Sequence, residues 1–177
     1  QQRKNNLRIF VRVALLSVML SYGAMAEASN HSAYVMLKSA SDRFVSALQK
    51  RSGQWQGRSD EMQRLVKRYV LPHVSVSHMS KMVVGRHYWT SATPRQRRVF
   101  MREFQTMVIQ SYTAVFAKYD GERVQVFPPR ESPRANRIQV ASRVLRPNGE
   151  RIKLVYHCQL IKRRWLVVDL DIEGVSL

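Results

Sequence analysis

The spacing of hydrophobic positions changes near residue 120 of this 177-residue chain. Between residues 34 and 119, apolar side chains recur every three or four positions, which is the spacing of helices with one buried face. From Val124 onward they alternate with polar neighbours, which is the spacing of strands with one wet face. The pattern therefore predicts a helical half followed by a sheet.

Four helices are predicted in the first half. They cover residues 34–51, a segment that Ser59 caps and Pro72 ends, a short run from Val76 to Val84, and a long run from Pro94 to Lys118. At about 1.5 Å per residue the last of these is close to 40 Å long. It is the longest element that the pattern predicts.

The start of the long helix combines a strong cap with an excess of positive charge. Thr93 and Gln96 have the spacing of a capping box. Arg95, Arg97 and Arg98 follow directly, although the helix dipole disfavours cations at this end. We predict that these three arginines dock the protein on phosphate-rich membrane surfaces, on an acidic partner or on a bound phosphate. A merely solvated face is the alternative for each one.

Four alternating runs predict an antiparallel meander. Residues 146–149 read Arg-Pro-Asn-Gly, a hairpin signal, and Lys162-Arg163 forms a tight turn. The wet face is expected to carry Arg123, Arg137, Arg143, Arg151 and Lys153. The helices must cover the greasy face, so the predicted fold class is α+β: a helical half packed on one face of a four-stranded antiparallel sheet, in two layers.

The first 26 residues have the composition of an export signal. Four cations precede the apolar run Val13 to Leu20, and residues 24–26 read Ala-Met-Ala, a cleavage site. We expect residues 1–26 to be a cleaved signal peptide and residues 27–177 to form a single domain. Cys158 is the only cysteine, so no internal disulfide is expected, and its strand position predicts a small buried hydrophobe.

Charge and motifs narrow the function classes. The chain has 30 Lys plus Arg against 12 Asp plus Glu, a net charge of +18, which attracts anionic partners. Its basic residues are spread over helices, loops and sheet without a nucleic-acid-binding motif, so no nucleic acid is expected. Asp169 and Asp171 are interpreted as solvated charges, and neither a metal-ligand pattern nor a nucleophile motif is present in the sequence.

Methionine and aromatic side chains concentrate on the helical faces that should meet the sheet. Methionine suits adaptable apolar contacts, so these faces could line a cavity for an apolar ligand. The same pattern is typical of an ordinary filled core, which is the reading that the pattern alone favours. Periodicity does not distinguish the two.

Several motifs together resemble the MlaC family, also known as the toluene-tolerance auxiliary family. The matching stretches are "VLPHV" (Val70–Val74), "MSKMVVGRHYWTSATPRQRRVFMREF" (Met79–Phe104), "SYTAVFAKYDG" (Ser111–Gly121) and "WLVVDLDIEGVSL" (Trp165–Leu177). Ser75 stands where the family usually has Asp. The family also continues past the last motif into a helical segment, so the resemblance implies a shortened sequence or a pocket that lacks one wall.

The resemblance implies a soluble periplasmic carrier that holds a phospholipid as cargo in a cavity between the two layers, with no cofactor and no enzymatic activity. It implies exchange with an inner-membrane ABC transporter complex, which supplies the energy, and with an outer-membrane lipoprotein complex, through transient membrane-surface contact. Two alternatives remain at this stage. One is a small-molecule enzyme or sensor on a similar scaffold, and the other is an exported basic module that binds anionic polymers.

Facing direction predicts which residues would line the cavity. From the helices they are Met79, Met82, Val83, Phe100, Phe104, Met107, Val108, Tyr112, Val115 and Phe116. From the sheet they are Val126, Val140, Leu154, Tyr156, Leu166 and Val168. Tyr156 is expected to be a polar group on the inner face, and His157 is expected to point away from the pocket.

Overall fold

The computed structural model describes residues 32–130 and 136–176, so the predicted signal peptide lies outside the described residues. The α-helices are α1 (residues 32–49), α2 (Ser59–Leu65), α3 (Val76–Val84), α4 (Arg86–Ser91) and α5 (Pro94–Phe116). A π-helical segment (Val66–Val70) and a 3₁₀ turn (Leu71–His73) continue α2. The strands are β1 (Arg123–Val126), β2 (Arg137–Leu145), β3 (Arg151–Ile161), β4 (Arg164–Ile172) and β5 (Val175–Ser176).

The helical prediction differs from the structure in the second helix, in α4 and at the end of α5. The second helix is α-helical only as far as Leu65 and continues to Val70 as a π-helix, and α5 ends at Phe116 rather than at Lys118. Arg58, not Ser59, occupies the N-cap position of α2, and its side chain makes no capping hydrogen bond. The prediction also missed α4, because Gly85 was interpreted only as the end of α3. The backbone of Gly85 has a φ of 83°, which ends one helix and lets the next begin at once.

The capping box at the start of α5 is confirmed. The backbone N–H of Gln96 donates to Thr93 Oγ1 at 3.3 Å, and the backbone N–H of Thr93 donates to Gln96 Oε1 at 2.8 Å. Two N–H groups that lack partners within the helix are thereby satisfied. These bonds stabilise the first turn of the helix with groups of the same segment.

The sheet has five strands, not the four predicted, in the order β1-β2-β3-β4-β5 with every pair antiparallel. The extra strand, β5, is two residues long and folds back on β4 after Glu173 and Gly174, both with positive φ. A strand this short has no readable alternation, which is why the pattern did not reveal it. The predicted turn at Lys162-Arg163 is confirmed, since both residues have positive φ between β3 and β4.

Two buried clusters hold the fold together. In the first, Ala33 and Leu37 of α1 lie with Val140 and Val167 from one face of the sheet. In the second, the helices contact one another around Met62, which is fully buried. Such interiors supply most of the hydrophobic stabilisation of a domain. The greasy face of the sheet is therefore covered by a helix, as the sequence predicts.

A backbone connection ties the helical half to the edge of the sheet. Val74 forms a parallel β-bridge with Val167, and the backbone N–H of Ser75 donates to the carbonyl oxygen of Val167 at 2.8 Å. The Arg164 guanidinium donates to the carbonyl oxygen of Pro72 at 3.2 Å. Because α3 begins at Val76, these bonds fix where that helix starts relative to β4.

Within residues 32–130 and 136–176, none of the helices combines the length and the hydropathy that a membrane crossing would require.

We expect the substitution Thr93→Ala to lower the free energy of unfolding by about 1 kcal/mol, because it removes one half of the capping box. Urea denaturation measures this difference. Thr106→Ala is the matched control, since that hydroxyl lies exposed within the same helix and donates only to the carbonyl oxygen of Arg102. Equal losses for the two variants would show that the cap contributes nothing of its own.

Candidate functional site

A cavity of about 1170 Å³ lies between α3 and the sheet. Its walls come from α3, from the segment after β1, and from strands β2, β3 and β4, with Ser176 of β5 at one side. Because α3 starts at the bridged edge of β4 and runs for nine residues, it forms one wall of this space. The cavity is larger than the second depression, of about 680 Å³, which lies between α4 and α5.

The sheet contributes to this cavity mainly through the face that was predicted to be wet. Directly opposed cross-strand pairs run along it: Gln139 with His157, Ala141 with Val155, and Arg143 with Lys153. The intervening residues, such as Val140, point to the opposite face and pack against α1. One face of the sheet is therefore core, and the other is a cavity wall of mixed polarity.

The apolar part of the lining is open to solvent. Met79, Met82 and Val83 of α3 face the cavity together with Phe127 and Pro128. Met82 is 69% exposed and Val83 is 58% exposed, large fractions for side chains of this kind. Exposed apolar side chains grouped in a concavity are typical of a binding site.

Polar groups on the cavity wall are held by specific contacts. The Arg143 guanidinium lies 5.4 Å from the centroid of the Phe127 ring, within cation–π range. Gln139 Nε2 lies 3.4 Å from His157 Nδ1. The carboxylate of Asp169 accepts from Ser176 Oγ at 2.7 Å. These contacts order the sheet side of the cavity.

Two further groups in the lining are electrically neutral near pH 7. Burial lowers the pKa of His78, and the nearby positive charges of Arg137 and Lys81 lower it further. Burial raises the pKa of Cys158 to about 12, and that side chain is 1% exposed. The prediction that Cys158 is a small buried hydrophobe is confirmed. The arginine, lysine and aspartate side chains of the lining carry its formal charges.

Of the residues predicted to line a cavity, four do so: Met79, Met82, Val83 and Val168. The candidates on α5 lie elsewhere. Phe100 and Phe104 stack on each other with ring centroids 5.9 Å apart, and Phe100 lines a smaller depression of about 680 Å³.

The remaining α5 candidates face either the helical core or solvent. Phe116 lies edge-on to Phe44 with ring centroids 4.8 Å apart, and Tyr112 neighbours Phe116. Val108 is half-buried, while Met107 and Val115 are 54% and 59% exposed.

The sheet candidates lie mostly on the face that α1 covers. Val126 and Val140 are buried in that core, and Tyr156 packs against it. Leu154 lies two residues before Tyr156 and is therefore on the same face of the strand. Leu166 is half-buried and does not line the cavity. His157 points to the opposite face from Tyr156 and lines the cavity, so the prediction that it points away from the pocket is wrong. The sequence analysis predicted that the apolar face of the sheet lines the pocket. Alternation identifies the apolar face but does not show that α1 packs against it.

The three predicted docking arginines differ in their surroundings. Arg97 is half-buried: its guanidinium donates to the carbonyl oxygen of Thr90 at 3.1 Å and lies 5.6 Å from the centroid of the Trp89 ring. Arg95 and Arg98 are exposed, and Arg95 borders the smaller depression between α4 and α5. Arg97 thus joins two helices, whereas the other two guanidinium groups are free to meet a partner.

Metal binding finds no support in the described segments, where no three His, Cys, Asp or Glu side chains come together as a ligand set. The sequence reasoning missed the basic lining of the cavity, Arg130, Arg137, Arg143 and Lys153. A usable signal was present. Arg143 and Lys153 flank a hairpin, so a register count from its turn makes them cross-strand neighbours.

The fold and the site together define an α+β protein with an open cavity of mixed apolar and basic lining. A family model described as MlaC protein matches residues 38–177. The chain therefore belongs to the MlaC family, and the resemblance seen in the sequence is confirmed.

Individual relatives agree with this assignment. The chain is 24% identical to the intermembrane phospholipid transport system binding protein MlaC of Haemophilus influenzae, over 92% of this chain and 76% of that protein. It is 20% identical to the toluene tolerance protein ttg2D of Pseudomonas putida, over 92% of this chain and 75% of that protein.

A solved structure has the same fold. It is the phospholipid-binding protein from Ralstonia solanacearum in complex with a phospholipid, with a TM-score of 0.74 and 24% identity, covering 82% of this chain and 80% of that one. At this level of identity the match shows the fold of the chain, a helical half on an antiparallel sheet.

We expect Cys158 to resist thiol reagents in the folded protein. With a pKa of about 12, only about one thiol in ten thousand is ionised at pH 8. Labelling with an aromatic disulfide reagent should be slow in buffer and complete in denaturant, and the native rate should still be rising at pH 10. A native rate that matches the unfolded one, and levels off near pH 9, would contradict the assigned burial.

Proposed function

We propose that this protein is a non-enzymatic phospholipid carrier that shelters acyl chains in the cavity between α3 and the sheet. Membership of the MlaC family supports the proposal. So do the phospholipid transport name of the Haemophilus influenzae relative and the phospholipid bound in the Ralstonia solanacearum structure.

The observation that carries the proposal is the cavity itself. Small-molecule pockets commonly measure about 300–1000 Å³, whereas this cavity measures about 1170 Å³. Its helical wall presents Met79, Met82 and Val83, which offer flexible and branched apolar contacts rather than directional hydrogen bonds. Such a wall suits hydrocarbon chains of variable length and unsaturation better than a single rigid metabolite.

The energetics of transfer fit a carrier. Two acyl chains with about 30 methylenes represent roughly 24 kcal/mol of gross hydrophobic free energy, at about 0.8 kcal/mol for each buried CH₂. A lipid therefore does not cross water alone. A bilayer offers almost the same burial, so exchange between membrane and carrier is close to neutral, and partner proteins must set its direction.

We further propose that the carrier works in the periplasm after export. It would exchange lipid with an outer-membrane lipoprotein complex and with an inner-membrane ABC transporter complex that supplies the energy. The transport-system name of the Haemophilus influenzae relative supports this placement. Exposed Arg95 and Arg98 suit transient docking on anionic surfaces, because such attraction raises encounter rates and weakens with salt.

The direct test is the lipid content of the exported protein. Protein purified from bacterial periplasm is extracted with organic solvent, and the extract is quantified by mass spectrometry. We expect close to one phospholipid per protein. A clean extract from protein that also takes up no lipid from vesicles would refute the carrier function.

Met82→Glu tests the location of the acyl chains. We expect this variant to lose at least about 90% of its bound phospholipid, because a carboxylate on the cavity wall must be desolvated by hydrocarbon. Met107→Glu is the matched control, since Met107 has similar exposure on α5 and lies outside the cavity lining. Circular dichroism checks that both variants fold. Loss of lipid from Met107→Glu with retention by Met82→Glu would place the chains elsewhere.

A further inference from the structure

The cavity wall carries a pair of like charges side by side. Arg143 on β2 and Lys153 on β3 are direct cross-strand partners, and both line the cavity. Side chains at such positions have Cβ atoms about 4.5–5.5 Å apart, and like charges there destabilise a sheet. A negatively charged group placed beside the pair would relieve this repulsion.

The protein supplies little compensation for this pair. Throughout residues 32–130 and 136–176, the ion pairs all involve other residues, so neither Arg143 nor Lys153 has an acidic partner. On the neighbouring strand β1, the residue opposite Arg143 is Gln125, whose side chain is neutral. The Glu173 carboxylate accepts a hydrogen bond from the backbone N–H of Lys153 and forms no ion pair with its ammonium group.

The other acidic groups on this face lie further along the strands. Asp169 lines the cavity opposite His157, four residues and therefore about 13 Å from Lys153 along the strand. It already accepts from Ser176 Oγ at 2.7 Å and from the backbone N–H of Leu170 at 2.9 Å. Asp171 is opposite Val155, between the rows of Lys153 and His157, and forms no ion pair with another described residue.

Arg143 is held in position to meet a ligand. Its guanidinium lies 5.4 Å from the centroid of the Phe127 ring, and Phe127 lines the same cavity. A guanidinium over an aromatic face keeps its N–H donors free along its edge, and those donors match the oxygens of a phosphate. Arg130 and Arg137 also line the cavity and add positive potential. Arg137 is opposite Gln159, so it does not form a second pair of like charges across strands β2 and β3.

We infer that Arg143 and Lys153 bind the phosphate of the cargo lipid and favour headgroups with a net negative charge. The inference rests on the proposed function. A phosphatidylglycerol headgroup supplies a phosphate and no cation. A phosphatidylethanolamine headgroup adds an ammonium group, which the two basic side chains and their neighbours repel. The apolar wall of α3 thus holds any acyl chain, and the basic pair selects among headgroups.

Competition between two lipids tests the selectivity. The protein is incubated with excess vesicles of equal phosphatidylglycerol and phosphatidylethanolamine with identical acyl chains, re-isolated and extracted, and both lipids are quantified by mass spectrometry. We expect the wild type to enrich phosphatidylglycerol about fivefold, the size that two partly exposed charge contacts provide. The double variant Arg143→Gln/Lys153→Gln should carry both lipids in nearly equal amounts.

The matched control is the double variant Arg123→Gln/Arg151→Gln. Arg123 on β1 and Arg151 on β3 are the cross-strand neighbours of Leu145 on β2. Both are exposed and lie outside the cavity lining. The control removes the same net charge, so it corrects for the general attraction of a basic protein to anionic vesicles. It should keep the wild-type enrichment. Lys153→Gln alone, at an exposed position, should halve the enrichment or more and remains usable if the double variant does not fold.

The outcomes separate the two proposals. A wild type that takes up no lipid would refute the carrier function. Stoichiometric lipid with the same headgroup ratio in the wild type and in the Arg143/Lys153 variants would overturn this inference alone, as would loss of enrichment in the control. A final arm titrates inorganic phosphate into lipid-free protein. Phosphate binding that requires Arg143 and Lys153, without any effect of these residues on the headgroup ratio, would mark a site for free anions and would also overturn it.

Discussion

The position of α3 at the edge of the sheet is the constraint on which the cavity depends. The Val74–Val167 bridge and the hydrogen bond from Ser75 N–H to the Val167 carbonyl join the two halves of the molecule through main chain. Main-chain pairing fixes α3 without side chains filling the space beneath it. A helix docked by interdigitating side chains would have closed that space, because packed interiors leave few voids larger than a water molecule.

The two faces of the sheet divide stability from binding. Val140 and Val167 on one face are buried against α1, and a separate helical cluster surrounds Met62. Most of the residues in those interiors lie away from the cavity, and Ile138 and Cys158 of the first cluster contribute to both. On the other face, Ala141 and Val155 form an apolar strip with basic residues on one side and His157 on the other. A carrier that must be both loaded and empty in each cycle needs this separation.

The elements of the fold could be read from the sequence, whereas the cavity wall could not. The capping box at Thr93, the helix from Val76 to Val84 and the turn at Lys162 each follow from local chemistry, and each is found where the pattern puts it. The site required knowing which face α1 would cover. Alternation makes Val140 and Val155 equally good wall residues, and only tertiary packing assigns Val140 to the core. Helix α4 was missed because Gly85 ends one helix and starts another with a single backbone conformation.

Some basic residues of the chain make contacts within the protein, and others are exposed to solvent. This difference affects how a lipid could be both held and released. Arg97 is tied to Trp89 and Thr90 and stabilises the junction of two helices, while Arg95 and Arg98 remain exposed. The hydrophobic free energy of the acyl chains is nearly the same in a bilayer and in the cavity, so it cancels on transfer. The smaller electrostatic terms do not cancel, since they differ between the cavity wall and each membrane surface. Because those terms are screened within about 8 Å at physiological salt, they act only when protein and surface are close, and they can bias an exchange without trapping the cargo.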